Sequence, residues 1–192
     1  MYSKKIIVRA ATPEDSVLIA QAVAMAIGDE VALQSYCGKD YLTVLSEIVT
    51  QKGTQYYWQS ALVAEFEGIV AGAIVGYDGA HLHTLRDGTL SILQKRIGRT
   101  PIIADETEAG EYYLDSLAVF PQFRGLGIGR ALIEDLCALA FATGHKRVGL
   151  LVDFDNPRAE QLYTSLGFSR VGEKMFLGHR MWHLQVDPHT RK

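Results

Sequence analysis

The first half of the chain alternates between short apolar runs and segments whose apolar residues recur every three to four positions. Residues 5–10 form the first apolar run and predict a strand. A Thr-Pro-Glu-Asp sequence follows, and it supplies the cap, the proline and the negative charge that are typical of a helix start. The stripe after it predicts a helix that ends at Gly28, and a second stripe predicts a helix over 41–49.

The middle of the chain combines a hairpin with a segment of different character. Two apolar runs, 61–66 and 69–75, flank a Glu-Gly pair, and this arrangement predicts a β-hairpin. Segment 77–110 contains four glycines, a proline and acidic residues, and a short amphipathic helix is predicted around 90–97. We interpret 77–110 as an insertion between strands, and long connections of this kind are often binding elements.

The second half has a more regular pattern, which predicts a strand, a long helix, a strand, a short helix and two further strands. The predicted ranges are 112–119, 128–142, 147–152, 157–166, 170–176 and 180–186. A strand, a helix and a strand in succession imply one parallel crossover. We therefore predict an α/β fold in a single domain, 1–192, with a mixed central sheet and flanking helices.

The composition narrows the classes of function. The 192 residues suit one domain, and the net charge of −3 disfavours nucleic acid or an anionic membrane as partner, because such binding needs a concentrated basic face. No apolar run is long enough to predict a membrane span. Cys37 and Cys137 lack zinc or CxxC spacing, so we expect free, buried thiols in a reducing cytoplasm. The sequence neither predicts nor excludes a homodimer.

The sharpest local signal is the sequence QFRGLGIG at 122–129, between a predicted strand and a predicted helix. Free N–H groups and partial positive charge at a helix N-terminus suit a phosphate, and glycines let it approach closely. A dinucleotide fingerprint is excluded because Arg130 stands at its third glycine position, and a Walker loop because no Gly-Lys-Ser/Thr follows. An ordinary glycine-rich turn is the alternative that this segment alone leaves open.

Two longer motifs carry a resemblance to a known family. The sequence LDSLAVFP at 114–121, followed by R-x-x-G-x-G at 124–129, resembles the acetyl-CoA motif of the GNAT N-acetyltransferases. The sequence NPRAEQLYTSLGF at 156–168 resembles the second signature of that family, at the matching distance. The resemblance is strong over 111–168, and the opening VRAATPED is similar too, whereas 77–110 has no counterpart that we can map.

The resemblance implies a GNAT fold, whose mostly antiparallel mixed sheet contains a splayed strand pair, and acetyl-CoA as cosubstrate. It implies that the exposed strand backbone pairs with the pantetheine arm, that the amides of the glycine-rich turn hold the pyrophosphate, and that Tyr163 faces the thioester sulfur. The implied cofactor-binding residues are Leu117, Ala118, Val119, Arg124, Gly125, Leu126, Gly127, Ile128, Gly129, Arg130, Asn156 and Tyr163.

Two of these residues also have plainer interpretations. Tyr163 lies among apolar residues at helical spacing, which is typical of a packed core tyrosine. Asn156 precedes a proline and suits a helix N-cap, and it can serve as a cap and a ligand contact at once.

Asp115 is the unusual residue of its strand, because an unpaired carboxylate in an apolar run is costly. Strict alternation puts it on one face with Tyr113 and Leu117. A buried carboxylate with a raised pKa suits a general base, and the matching position of the similar polyamine acetyltransferases looks acidic too. A structural aspartate bonded to backbone amides is equally open, and the base is then a glutamate near Glu111 or water.

The remaining polar residues of the insertion carry weaker signals. His81 and His83 resemble a metal pair, but no third ligand stands out, and alternation out of a strand explains them, so we predict no metal. The acidic run from Asp105 to Glu111 is typical of a solvated surface, although it could also attract a cationic amine.

These features predict an acyl-CoA-dependent N-acetyltransferase that moves the acetyl group of acetyl-CoA to a primary amine, with Asp115 as base and Tyr163 as acid. The acceptor stays open between small amines, such as polyamines or aminoglycosides, and protein amines, and the acidic insertion leans toward a small cation. The alternative is a GNAT-fold sensor that binds acyl-CoA without catalysis, against which the presence of Tyr163 argues.

Overall fold

The computed structural model describes residues 5–28 and 30–189, which form one seven-stranded sheet with helices against both faces. The strands are β1 (Ile6–Ala10), β2 (Ala61–Phe66), β3 (Ile69–Asp78), β4 (Tyr112–Val119), β5 (Val148–Asp153), β6 (Ser169–Phe176) and β7 (His179–Val186). The helices are α1 (Ser16–Ile27), α2 (Glu30–Cys37), α3 (Tyr41–Thr50), α4 (Leu82–Ile97), α5 (Ile128–Ala142) and α6 (Pro157–Ser165).

The sheet divides into two halves at the pair β4 and β5. Its strand order is β1-β2-β3-β4-β5-β7-β6, and every neighbouring pair is antiparallel except β4 and β5. Those two strands run parallel and pair only at Tyr112 with Val148 and at Tyr113 with Gly149, after which they separate. The predicted fold class, with its splayed pair and a single parallel crossover through α5, is confirmed.

Each face of the sheet has its own hydrophobic core. Helices α1, α2 and α3 cover one face, where Ile19 and Leu45 are fully buried. Helices α5 and α6 cover the other face, where Leu132 and Leu184 are fully buried. Burying a leucine or isoleucine side chain contributes roughly 1.5–3 kcal/mol, so these two layers hold the diverging halves of the sheet together.

The segment between β3 and β4 is more helical than its composition predicts. Helix α4 covers Leu82–Ile97, twice the predicted length, although Gly88 lies in its middle. A side chain at Gly88 would lie 2.2 Å from the carbonyl oxygen of Gly53, so tertiary packing outweighs the poor helix propensity of glycine. His83 lies in this helix, and the prediction that the two histidines alternate out of a strand is therefore wrong.

Helix α2 has no counterpart in the sequence prediction, and it is held by packing of Leu33, Tyr36 and Cys37 into the α1 core.

Within the described residues no single helix is long and apolar enough to cross a bilayer. Only the segments Pro13–Ile27 and Glu30–Cys37 taken together have the length and composition of a membrane span, and they are bent by 117° where they meet. Neither Cys37 nor Cys137 forms a disulfide and both are buried, as predicted.

Candidate functional site

The register between β3 and β4 shifts at Asp115. Successive residues of β3 pair with Leu114 and Ser116, so Asp115 is the extra residue of a β-bulge, a feature that re-aims side chains. Ser116 consequently lines the same cavity as Asp115 and Tyr113, whereas Leu117 packs on the α5 face. The face predicted from strict alternation is right for Tyr113 and wrong for Leu117, because periodicity does not register a bulge.

The cavity beside this bulge, which we call the Asp115 cavity, has a volume of about 110 Å³ and lies on the α1 face of the sheet. Its walls come from α1, α2, the segment before β2, the insertion, β4 and the β6–β7 hairpin. The lining residues are Ala26, Ile27, Tyr36, Gln55, Tyr56, Ile103, Glu106, Tyr113, Asp115, Ser116, Phe176, Leu177 and Met181.

The Asp115 carboxyl titrates near neutral pH. Burial raises its pKa to about 7, and the negative charge of Glu106 acts in the same direction. Hydrogen bonds from the Ser116 hydroxyl to Oδ1 (2.8 Å) and from the Tyr77 hydroxyl to Oδ2 (3.1 Å) oppose this rise. No ion pair to Asp115 forms within the described residues, so the carboxylate has no contacting counter-charge. A carboxyl with this pKa suits a general base.

A second carboxylate, Glu106, lies behind the first in a buried hydrogen-bond chain. Arg86 forms an ion pair with Glu106, and the Gln55 side-chain N–H donates to the same carboxylate at 2.8 Å. The Gln55 nitrogen also lies 3.1 Å from the Tyr77 hydroxyl, which in turn reaches Asp115. This chain connects the insertion to the bulge of β4.

The prediction that the acidic run is a solvated surface is wrong for two of its members. Glu106 is 2% exposed and Glu111 is 1% exposed, while Asp105 and Glu108 do lie at the surface. Sequence reasoning did not identify Gln55, Tyr77 and Glu106 as site residues. No local sequence feature indicates that an arginine of α4 forms a buried ion pair with Glu106.

Glu111, an alternative base in the sequence prediction, is held in place by three neighbours. The Thr107 hydroxyl donates to it at 2.6 Å, and Nε2 of His183 and the side-chain nitrogen of Gln185 lie 2.9 Å and 2.6 Å from its other oxygen. Burial acts to raise the pKa of Glu111, but these hydrogen bonds outweigh it and keep the pKa below its usual value. Such a carboxylate stays ionised and bonded, which makes it a poor base.

The histidines of the insertion, His81 and His83, do not belong to a cluster of metal-ligand residues. His83 faces Asp105 at 3.5 Å. No group of three or more His, Cys, Asp or Glu with metal-binding geometry occurs among residues 5–28 and 30–189.

A second concavity, the glycine-turn groove, lies at the N-terminus of α5 and has a volume of about 560 Å³. Eight of the twelve predicted cofactor-binding residues line it, and Phe123, Arg158, Ala159 and Leu162 join them. The eight are Val119, Arg124, Gly125, Gly127, Ile128, Gly129, Arg130 and Asn156. Leu117, Ala118, Leu126 and Tyr163 are not among its lining residues.

The turn itself needs glycine. Gly125 and Gly127 have φ angles of 79° and 85°, the left-handed region that side chains disfavour, and Gly127 is the N-cap of α5. The first N–H groups of α5 therefore face the groove without intrahelical partners. The guanidinium groups of Arg124, Arg130 and Arg158 add positive charge to the lining, so the groove suits a pyrophosphate.

Leu117 and Ala118 lie on the splayed part of β4. Their side chains pack into the α5 core and the α1 core respectively, and their backbone pairs with β3 on one side only. The pairing of β4 with β5 ends at Tyr113, which leaves the β5-facing backbone beyond it without a strand partner.

Asn156 and Tyr163 both have the structural role that sequence reasoning left open. The Asn156 side chain accepts a hydrogen bond from the Ala159 N–H at 3.1 Å, so it is the N-cap of α6. Tyr163 is 8% exposed and packs edge-on against Phe168. Burial raises the pKa of Tyr163 to about 12, so its hydroxyl stays protonated at neutral pH.

Comparison with known proteins identifies close structural relatives. Residues 39–168 match the model of the acetyltransferase (GNAT) family. A crystal structure of an acetyltransferase is 33% identical with a TM-score of 0.78, covering 94% of this chain and 98% of that one. An N-acetyltransferase from Staphylococcus aureus Mu50 is 28% identical with a TM-score of 0.81, covering 94% and 100%.

Curated relatives match over shorter stretches. N-alpha-acetyltransferase RimI of Mycobacterium tuberculosis is 39% identical over 101 residues, which is 53% of this chain and 49% of RimI. Mycothiol acetyltransferase of Gordonia bronchialis is 30% identical over 153 residues, 75% of this chain and 45% of that enzyme. The chain thus matches about half the length of these two relatives.

Proposed function

Because the chain belongs to the GNAT acetyltransferase family, we propose that it transfers the acetyl group of acetyl-CoA to a primary amine. One observation carries the proposal: β4 joins a carboxyl whose pKa is about 7 to a groove that suits a pyrophosphate. Asp115 and Val119 are four residues apart, roughly 13 Å of extended strand. A ligand lying along β4 can therefore reach from the groove to the bulge.

The glycine-turn groove would hold the cosubstrate. The N–H groups from Gly125 to Arg130, with Arg124 and Arg158, would bind its pyrophosphate, and the unpaired backbone of Leu117, Ala118 and Val119 would bind the pantetheine arm. Asn156, which caps α6 at the edge of this groove, would contact the same arm. Acetyl-CoA supplies an acetyl group activated as a thioester.

Asp115 would act as the base. An alkyl amine is protonated at neutral pH, since its pKa resembles that of lysine, and it must lose a proton before its lone pair can attack. Asp115 accepts this proton, the new C–N bond forms, and the C–S bond breaks. The amide nitrogen releases a second proton.

Tyr163 would donate a proton to the departing sulfur and regain one afterwards. One of the two protons lost by the ammonium thus ends on the thiol, and the other passes through Asp115 to solvent. A phenol with a pKa of about 12 is a weak acid, but it is protonated at every physiological pH, as this role requires.

The experiment measures the release of free CoA thiol from acetyl-CoA across a panel of primary amines. We expect amine-dependent release by the wild-type protein. Tyr163→Phe, which keeps the packing against Phe168, should lower kcat by about 10²–10⁴ with little change in acetyl-CoA affinity.

The same assay separates the enzyme from a non-catalytic sensor. A protein that binds acetyl-CoA in a thermal-shift measurement yet releases no thiol with any amine would be a binding module. Wild-type kcat in Tyr163→Phe would leave Tyr163 as a core residue and remove it from the mechanism.

A further inference from the structure

The Asp115 cavity and a neighbouring groove form one continuous concave surface. A groove of about 720 Å³, which we call the Arg99 groove, runs between α2, the insertion and the tip of the β6–β7 hairpin. Tyr36, Ile103 and Leu177 line both concavities. Leu177 has a φ of 49°, uncommon for a residue other than glycine, at the hairpin tip where the two meet.

The polar atoms of the cavity wall are rich in hydrogen-bond acceptors. Beside the two carboxylates, the side-chain oxygen of Gln55 is buried and has no hydrogen-bond partner within the described residues. The amide orientation follows from Glu106, because a carboxylate must face the Gln55 nitrogen and not its oxygen. A buried acceptor without a partner is unfavourable, so this end of the cavity wall favours a hydrogen-bond donor over a further acceptor.

The rest of the cavity wall is aromatic or aliphatic. Tyr36, Tyr56, Tyr113 and Phe176 supply aromatic rings, which suit a cation, and the aliphatic side chains accommodate hydrocarbon. The volume of the Asp115 cavity, about 110 Å³, is small beside the 720 Å³ of the Arg99 groove. The cavity therefore accommodates an ammonium group and the start of its chain, and a longer chain must continue into the Arg99 groove.

The charge of that groove is opposite to the charge of the cavity. Arg99 is the only charged residue among the described residues that line the groove, and its guanidinium donates to the Ser35 carbonyl oxygen at 2.6 Å at the surface. The other lining residues are apolar or small, and Ile102, Met175 and Leu177 expose large apolar side chains there. Among the described lining residues, a second ammonium in this groove would meet a like charge and no carboxylate.

We infer that the acceptor is a primary monoamine with an apolar chain, whose ammonium occupies the Asp115 cavity and whose hydrocarbon tail lies in the Arg99 groove. This inference rests on the proposed function, and it selects among the amines that the function allows. Polyamines are disfavoured because their second cation reaches Arg99.

The test compares kcat/KM for hexylamine and 1,6-diaminohexane, which have the same carbon chain and differ in one cationic end. We expect hexylamine to be favoured by about tenfold or more, since tenfold corresponds to about 1.4 kcal/mol and nearby like charges repel by that order. Arg99→Glu should reverse the preference by raising kcat/KM for the diamine.

Lys146→Glu provides the matched control, because it makes the same charge change at an exposed residue that lines neither concavity. It should leave the hexylamine-to-diamine ratio at the wild-type value. Both variants are at exposed positions, so neither depends on the folding of a buried network.

Three outcomes would overturn the inference. A diamine favoured over hexylamine by the wild type, an unchanged ratio in Arg99→Glu, or a much higher kcat/KM for a peptide N-terminus would each remove the apolar monoamine while leaving N-acetyl transfer in place. If the protein binds acetyl-CoA but none of the amines causes thiol release, the proposed function itself would be overturned.

Discussion

At the scale of single residues, the proposed chemistry depends on how strongly the surroundings stabilise the negative charge of the Asp115 carboxylate. The carboxylate receives hydrogen bonds from Ser116 and Tyr77, yet burial and the charge of Glu106 leave its pKa near 7. Glu111 lies three residues before the point where β4 separates from β5. Its three hydrogen bonds keep its pKa below the usual value. The balance between burial, neighbouring charge and hydrogen bonding thus distinguishes a carboxyl that can exchange protons near neutral pH from one that stays ionised.

The pH dependence of the reaction follows from the raised pKa of Asp115. Below about pH 7 the carboxyl is protonated and cannot accept a proton, so kcat/KM, which reports the free enzyme, should rise through this range. Asp115→Asn should lack this rise, show a lower kcat/KM at neutral pH, and recover part of it at high pH, where more acceptor is neutral.

The stability of the same variant distinguishes a base from a structural aspartate. An acid whose folded pKa lies above its unfolded value of about 3.9 lowers stability as pH rises between the two values. Asp115→Asn should therefore melt no lower than the wild type at pH 8. A variant that unfolds while its folded fraction keeps wild-type specific activity would show that the carboxylate is structural.

At the scale of elements, the N-terminus of α5 is the feature that turns a sheet edge into a binding site. Gly127 caps the helix in a left-handed conformation, and the groove lies directly over the first helical N–H groups. The helix dipole and these donors act at the same place, so binding is a property of the whole element.

Gly127→Glu should abolish the rise in melting temperature that acetyl-CoA causes, because its carboxylate would occupy the anion site. A ligand at 100 times its Kd stabilises the native state by about 2.7 kcal/mol, which is a measurable shift. Gly144→Glu is the control: Gly144 also has a positive φ (95°) and no atom near an added Cβ, but it follows the other end of α5. An unchanged shift in Gly127→Glu would exclude this groove as the cofactor site.

At the scale of the whole molecule, the two halves of the sheet are joined at one crowded junction. The Glu111 side chain precedes β4, covers Gly149 of β5 and hydrogen-bonds to His183 and Gln185 of β7. Beyond this junction β4 and β5 separate, so the cleft between the halves depends on it.

Gly149→Ala should destabilise the protein by about 1–3 kcal/mol, the usual cost of overpacking, because an added Cβ would lie 1.9 Å from a Glu111 carboxylate oxygen. Gly172→Ala, in edge strand β6, adds the same methyl group with no atom within 4 Å and should change stability by less than about 0.5 kcal/mol. Urea denaturation of both variants measures the difference, and equal midpoints would contradict the proposed tight junction.

The elements that sequence alone predicts well are those whose determinants are local. Helix α5 begins and ends where its apolar spacing indicates, and the β2–β3 hairpin forms around its Glu-Gly turn. Helix α2 and the first half of α4 were not predicted, because packing on α1 and the close contact at Gly88 compensate for weak local signals. The family motifs indicated the splayed sheet, which periodicity cannot show.

The glycine-turn groove was determined by contiguous sequence, since an anion site at a helix N-terminus needs only a strand, a glycine turn and a helix in order. The Asp115 cavity was decided by tertiary structure. A one-residue bulge sets the direction of Asp115, and α4 brings Arg86 to Glu106, twenty residues away in sequence. Burial and charge pairing among distant segments determine pKa values and pocket shape, and those interactions exist only once the chain has folded.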